Sequence, residues 1–110
     1  MMNAYIGIML ITVPLSFNKN KLSYRLSKRD EKNALYAVIS GGEVVGHEVH
    51  RVRRKSDPHS WSNEVLAETP TREILAGNEE FGRYGWFYQS LGLAEAKFSW
   101  CVANPIKSRV

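Results

Sequence analysis

Residues 47–55 read HEVHRVRRK, and three kinds of chemistry compete for them. Two imidazoles could ligate a metal, a histidine beside Glu48 could move a proton, and Arg51, Arg53, Arg54 and Lys55 could hold phosphate. The metal reading fails on spacing. The zinc-protease helix places its histidines four apart in H-E-x-x-H, so that both face one way, and here the second histidine comes one residue early. In a strand, His47 and His50 point to opposite faces and cannot chelate together. Gly46 and the four valines between Val44 and Val52 favour that strand over a helix. No metal site and no cofactor are expected.

Proton chemistry would need a concave pocket holding His47 or His50 with a carboxylate such as Glu48. No G-x-S-x-G elbow, Walker loop or G-x-G-x-x-G fingerprint accompanies them. Cys101 falls on an apolar helical stripe, where a cysteine serves as a small hydrophobe. No catalytic residue is therefore assigned, and a small enzyme with a His/carboxylate site stays an alternative.

Phosphate binding has more behind it. If the strand continues past Val49, then Arg51, Arg53 and Lys55 share one face, and Arg25, Lys28 and Arg29 add a second basic run. The partners implied are nucleic acid or an acidic protein surface. Tyr84, Trp86 and Tyr88 alternate in RYGWFY and would supply stacking surfaces. With Trp61, Tyr84 and Trp86 would equally form an aromatic patch for a protein partner. Charged residues on a hairpin also guard a sheet edge, and an unguarded edge invites a homodimer.

The charge is segregated along the chain. Residues 18–33 carry six cations against Asp30 and Glu31, whereas residues 57–80 carry six carboxylates against Arg72 alone. Such a distribution steers an acidic partner to one side, or matches internally when the acidic segment folds beside the basic one. One cysteine excludes an intrachain disulfide and suits a reducing, cytoplasmic setting.

The elements that must position these residues are legible in outline. The run from Ala4 to Leu15 lacks the basic start and cleavage site of a secretory signal, and is too short to span a bilayer as a helix. It is expected to be a buried strand, with no membrane association. A short strand is expected at Leu22–Leu26. The β-rich runs ALYAVIS and EVVGHEVHRVR flank Gly41-Gly42, a strong hairpin signal that would set Ile39 opposite Val44, Val38 opposite Val45 and Tyr36 opposite His47. A second short strand is placed at 64–68. Thr69 and Pro70 read as the cap and first turn of a short helix to Ala76. Ser90 would cap a C-terminal helix with Leu91, Ala94, Phe98 and Cys101 on one stripe.

The stretch NEEFGRYGWFYQSLGLAEAKF, residues 78–98, resembles short uncharacterised proteins of bacterial phages and mobile elements. The resemblance implies an accessory protein that binds a host protein, and supplies no functional residues. At 110 residues the chain is expected to be a single α+β domain over 1–110, an antiparallel sheet with a central hairpin and a C-terminal helix on one face. Its leading functional expectation is a non-enzymatic module contacting nucleic acid through the basic hairpin. The phage-type accessory protein and the small enzyme are the alternatives.

Overall fold

The Gly41-Gly42 hairpin organises the larger of two sheets. Both glycines have positive φ, 60° and 85°, as a two-residue turn of matching twist requires. They join β4 (Asn33–Ser40) to β5 (Glu43–Arg51). The computed structural model describes residues 10–56 and 71–106. Within them the chain forms two compact units, one comprising residues 10–13, 53–56 and 71–74 and the other 14–52 and 75–106.

The larger unit is a five-stranded antiparallel sheet in the order β2-β3-β4-β5-β8, where β2 is Ser16–Lys19, β3 is Leu22–Arg29 and β8 is Gly85–Tyr88. The helix α1 (Leu91–Ala103) packs on one face. The fold is therefore α+β. Ser90 caps α1 as its sequence signals, its Oγ accepting from the Leu93 amide at 3.3 Å. Ala94, Phe98 and Cys101 are buried against Leu35 and Val49, with Trp86 and Tyr88 alongside, while Leu91 stays exposed. On the opposite face Tyr24, Ala34, Tyr36 and Val38 are buried, and the Tyr36 hydroxyl donates to the Pro14 carbonyl at 2.6 Å.

Two β-bulges set which side chains share a face. Ser27 is the extra residue in β3, since Leu26 lies opposite Tyr36 while Lys28 lies opposite Leu35. Val45 is the extra residue in β5, because Ile39 faces Val44 but Val38 faces Gly46. The second bulge corrects the expected register: only the Ile39–Val44 pair stands, and Tyr36 faces Glu48 rather than His47. A bulge reverses the in–out alternation beyond it and so re-aims every later side chain. Here it leaves Val49 on the helix side, where it is fully buried.

The smaller unit holds a three-stranded sheet in the order β1-β7-β6, with β1 at Leu10–Ile11, β6 at Arg53–Ser56 and β7 at Thr71–Ile74. β1 runs parallel to β7, and β6 antiparallel to it. The helix expected from Pro70 to Ala76 is thus corrected to a strand over Thr71–Ile74. Pairing on both sides and the buried Glu73 carboxylate, which accepts from the Val13 amide at 3.0 Å, override the local cap signal. Leu10 and Ile11 are exposed, so this part of the amino-terminal run is strand but not buried. The strand expected at 64–68 lies outside the described residues. Among the described residues no helix is long and apolar enough to cross a membrane.

Candidate functional site

The basic strip of residues 51–55 is divided by the fold. β5 ends at Arg51, and Val52 leaves the strand with its amide donating to the Lys32 carbonyl at 2.8 Å. Arg53, Arg54 and Lys55 then belong to β6 of the three-stranded sheet, where Arg54 lies opposite Glu73 and Lys55 opposite Arg72. The continuous strand assumed for this strip is therefore not formed.

A different set of cations is gathered on the helix side of the five-stranded sheet. Arg25 pairs with Ala37, on the same side as Leu35, and the bulge at Ser27 brings Lys28 to that side as well. Residues three apart in a regular strand would point oppositely. Lys28 lies over Phe98 of α1, its Nζ 5.0 Å from the ring centroid. Arg29 goes to the other face and is tied locally, its guanidinium donating to the carbonyls of Asp30 and Glu31.

Arg51, the last residue of β5, is also on this side. It shares the face of Val49, and its guanidinium carbon lies 5.9 Å from the Trp86 ring and 5.3 Å from the Trp100 ring. Lys97 reaches the same two rings, with Nζ 4.4 Å from Trp86 and 4.0 Å from Trp100. All four distances fall within cation–π range. Arg51 is only 7% exposed, whereas Trp100 is 48% exposed. Lys97 and Trp100 are three apart on α1 and so share a helix face. Sequence reasoning picked out Arg51 and Trp86 but not these two, although K-x-x-W within an expected helix was an available signal.

Along β2 and β3 an open groove of about 340 Å³ is lined by Ser16, Asn18, Ser23, Arg25 and Ile39, among others. Its walls come from β2, β3 and β4, and its polar groups accompany Arg25. Tyr84, expected on the strand face with Trp86, instead precedes β8 in a turn, with Arg83 stacked 5.1 Å from its ring. Trp61 lies outside the described residues.

The histidines have separate surroundings. His50 is on the face away from α1, between the rings of Tyr36 and Phe81 at 5.9 and 5.6 Å. Its Nε2 is 2.9 Å from Glu48 Oε1, and its Nδ1 accepts from the Ala76 amide at 3.1 Å. Both ring nitrogens are spent and the ring is buried, so this pair ties β5 to the segment before β8 and offers no lone pair to a substrate. His47 is buried on the opposite face, and its Nδ1 has no hydrogen-bond partner. Among the described residues no three His, Cys, Asp or Glu side chains gather as metal ligands.

Fold and site together define a small α+β sheet–helix protein whose helix side pairs cations with aromatic rings. No protein-family model, curated protein or solved structure matches the chain.

Proposed function

We propose that this protein is a non-enzymatic binding module that contacts nucleic acid on the helix side of its five-stranded sheet. The observation that carries the reading is the interleaving of cations and rings: Lys28 over Phe98, and Arg51 with Lys97 over Trp86 and Trp100. Cations follow the phosphates of a strand, and exposed aromatic faces stack unpaired bases whatever their sequence. Arg25 carries the positive side onward into the groove along β2 and β3. A single strand fits better than a duplex, because stacking on a half-exposed tryptophan needs a base free of its neighbours. Arg53, Arg54 and Lys55 belong to the three-stranded sheet and do not enter this reading. The one cysteine, free and buried, is in keeping with a cytoplasmic setting.

Fluorescence anisotropy with mixed-sequence single strands and duplexes at two salt concentrations tests the reading. Single strands should bind more tightly, with affinity falling steeply as salt rises. Reversing Arg25 and Lys28 together to glutamate should weaken binding at least tenfold. Absence of binding to either form at low salt would overturn it.

A second reading, a module that binds a protein, is supported by the exposed Val44, Val45 and Phe87. Phe87 stands on the edge strand β8, so the partner of this reading includes a second copy paired along that edge. A sedimentation coefficient that does not change over a wide concentration range would remove self-association.

A further inference from the structure

We infer that Arg51 and Lys97 form an oxyanion site, shaped for a phosphate group, between the rings of Trp86 and Trp100. Arg51 is largely covered as a residue, and the guanidinium of such an arginine ordinarily ends on a carboxylate or on carbonyl oxygens. Here it meets two indole rings, and among the described residues no oxygen accepts from its side chain.

The ammonium of Lys97 lies against the same two rings, which places a second positive charge beside the first. Asp30, in the turn before β4, is otherwise engaged: its Oδ1 accepts from the amides of Lys32 and Asn33 at 2.8 and 2.7 Å and from Asn33 Nδ2 at 3.2 Å. Two like charges between two rings are relieved by an anion that both can reach. A planar fork of donors together with a point charge is the complement of a phosphate, whose tetrahedron offers oxygens to both. The two indole rings lower the polarity beside the guanidinium and so strengthen its attraction for a charged ligand. Asn33, directly opposite Arg51 in the sheet, adds a buried Oδ1 that accepts no hydrogen bond, a place for the hydroxyl of a protonated phosphate. The half-exposed Trp100 leaves the way in from solvent.

The phosphate is either free or carried by a nucleotide. The inference draws on the nucleic-acid reading for the second source only, and the site stands without a polymer. The full chain carrying Trp61→Phe leaves the indole signals of Trp86 and Trp100 alone in fluorescence and amide-correlated NMR spectra. Inorganic phosphate, a nucleoside 5′-monophosphate and the matching nucleoside are titrated at low constant salt. Both phosphate probes should perturb the two indoles saturably and the nucleoside should not. Lys97→Met and Arg51→Met should each weaken the effect at least tenfold. Lys97 lies on the helix surface, so its variant keeps the test valid should Arg51→Met fail to fold. A monophosphate that binds far more tightly than inorganic phosphate identifies a nucleotide as the source, and equal affinities identify a free oxyanion. No saturable change with either phosphate probe, equal binding of the nucleoside, or full affinity in Lys97→Met would overturn the site. Oligonucleotide binding without saturable binding of either phosphate probe overturns the site but keeps the nucleic-acid reading. Phosphate binding without oligonucleotide binding does the reverse.

Discussion

Glu48 and His50, two residues apart on one face of β5, share a hydrogen bond of 2.9 Å, and the Ala76 amide fixes the far side of the imidazole at 3.1 Å. Because Nδ1 accepts from a backbone N–H, the proton sits on Nε2 and is donated to Glu48. Nitrogen chemical shifts should report the Nε2–H tautomer, and a protonated Nδ1 would contradict this geometry. His50→Ala leaves a cavity, an unpaired amide and an unpaired carboxylate, and should lower stability by roughly 2–4 kcal/mol in chemical denaturation. Glu48→Gln keeps an acceptor oxygen and should cost less than about 1.5 kcal/mol.

Tyr24 provides the pH dependence. Burial raises its phenol above the ordinary value of 10.0, and the Glu48 carboxylate raises it further. The folded state therefore holds the proton over a range in which the unfolded chain releases it. The stability this supports is full below the unfolded value and is lost as pH rises through the folded one. Absorbance at phenolate wavelengths should show Tyr24 titrating late, and Tyr24→Phe should remove that contribution and flatten the alkaline loss of stability. Glu48→Gln should shift the Tyr24 titration part of the way back toward the ordinary value.

The hairpin between β2 and β3 turns on Asn20 and Lys21, with φ of 53° and 67°. Asparagine tolerates this left-handed region, but lysine pays about 1 kcal/mol for it. Lys21→Gly should therefore stabilise the protein by at most about 0.6 kcal/mol, net of the added freedom of the unfolded chain. A drop in the denaturation midpoint would show that the lysine side chain contributes more than its backbone costs.

What could be read in advance was what short-range chemistry dictates. Gly41-Gly42 named the central hairpin and Ser90 named the start of α1, since each acts on its immediate neighbours. The bulges at Ser27 and Val45 left no such mark, because an extra residue is placed by the packing of both faces rather than by its own preference. Those bulges decide that Lys28 joins Arg25 and that Tyr36 faces Glu48. The break at Val52 was equally silent, and it removes Arg53, Arg54 and Lys55 from the sheet that holds Arg51. The candidate site was half legible: Arg51 and Trp86 were named by type, whereas Lys97 and Trp100 acquire meaning only once α1 lies across β5 and β8.

Gly85 is where the start of β8 comes closest to its neighbours. A methyl group there would lie 2.8 Å from the Ala76 side chain and 3.1 Å from the Phe81 ring. Ala76 is buried and anchored through its amide to His50, so it cannot withdraw without loosening the Glu48–His50 pair. Gly85→Ala should accordingly destabilise the protein by roughly 1–3 kcal/mol, the usual range for overpacking. Gly46→Ala meets the ring of Phe87 instead, but that ring is about half exposed and can swing toward solvent. It should cost less than Gly85→Ala. Thermal denaturation of the two variants side by side checks the order, and an equal or reversed ranking would mean that the Phe87 ring is held in place by more than its contact with Gly46.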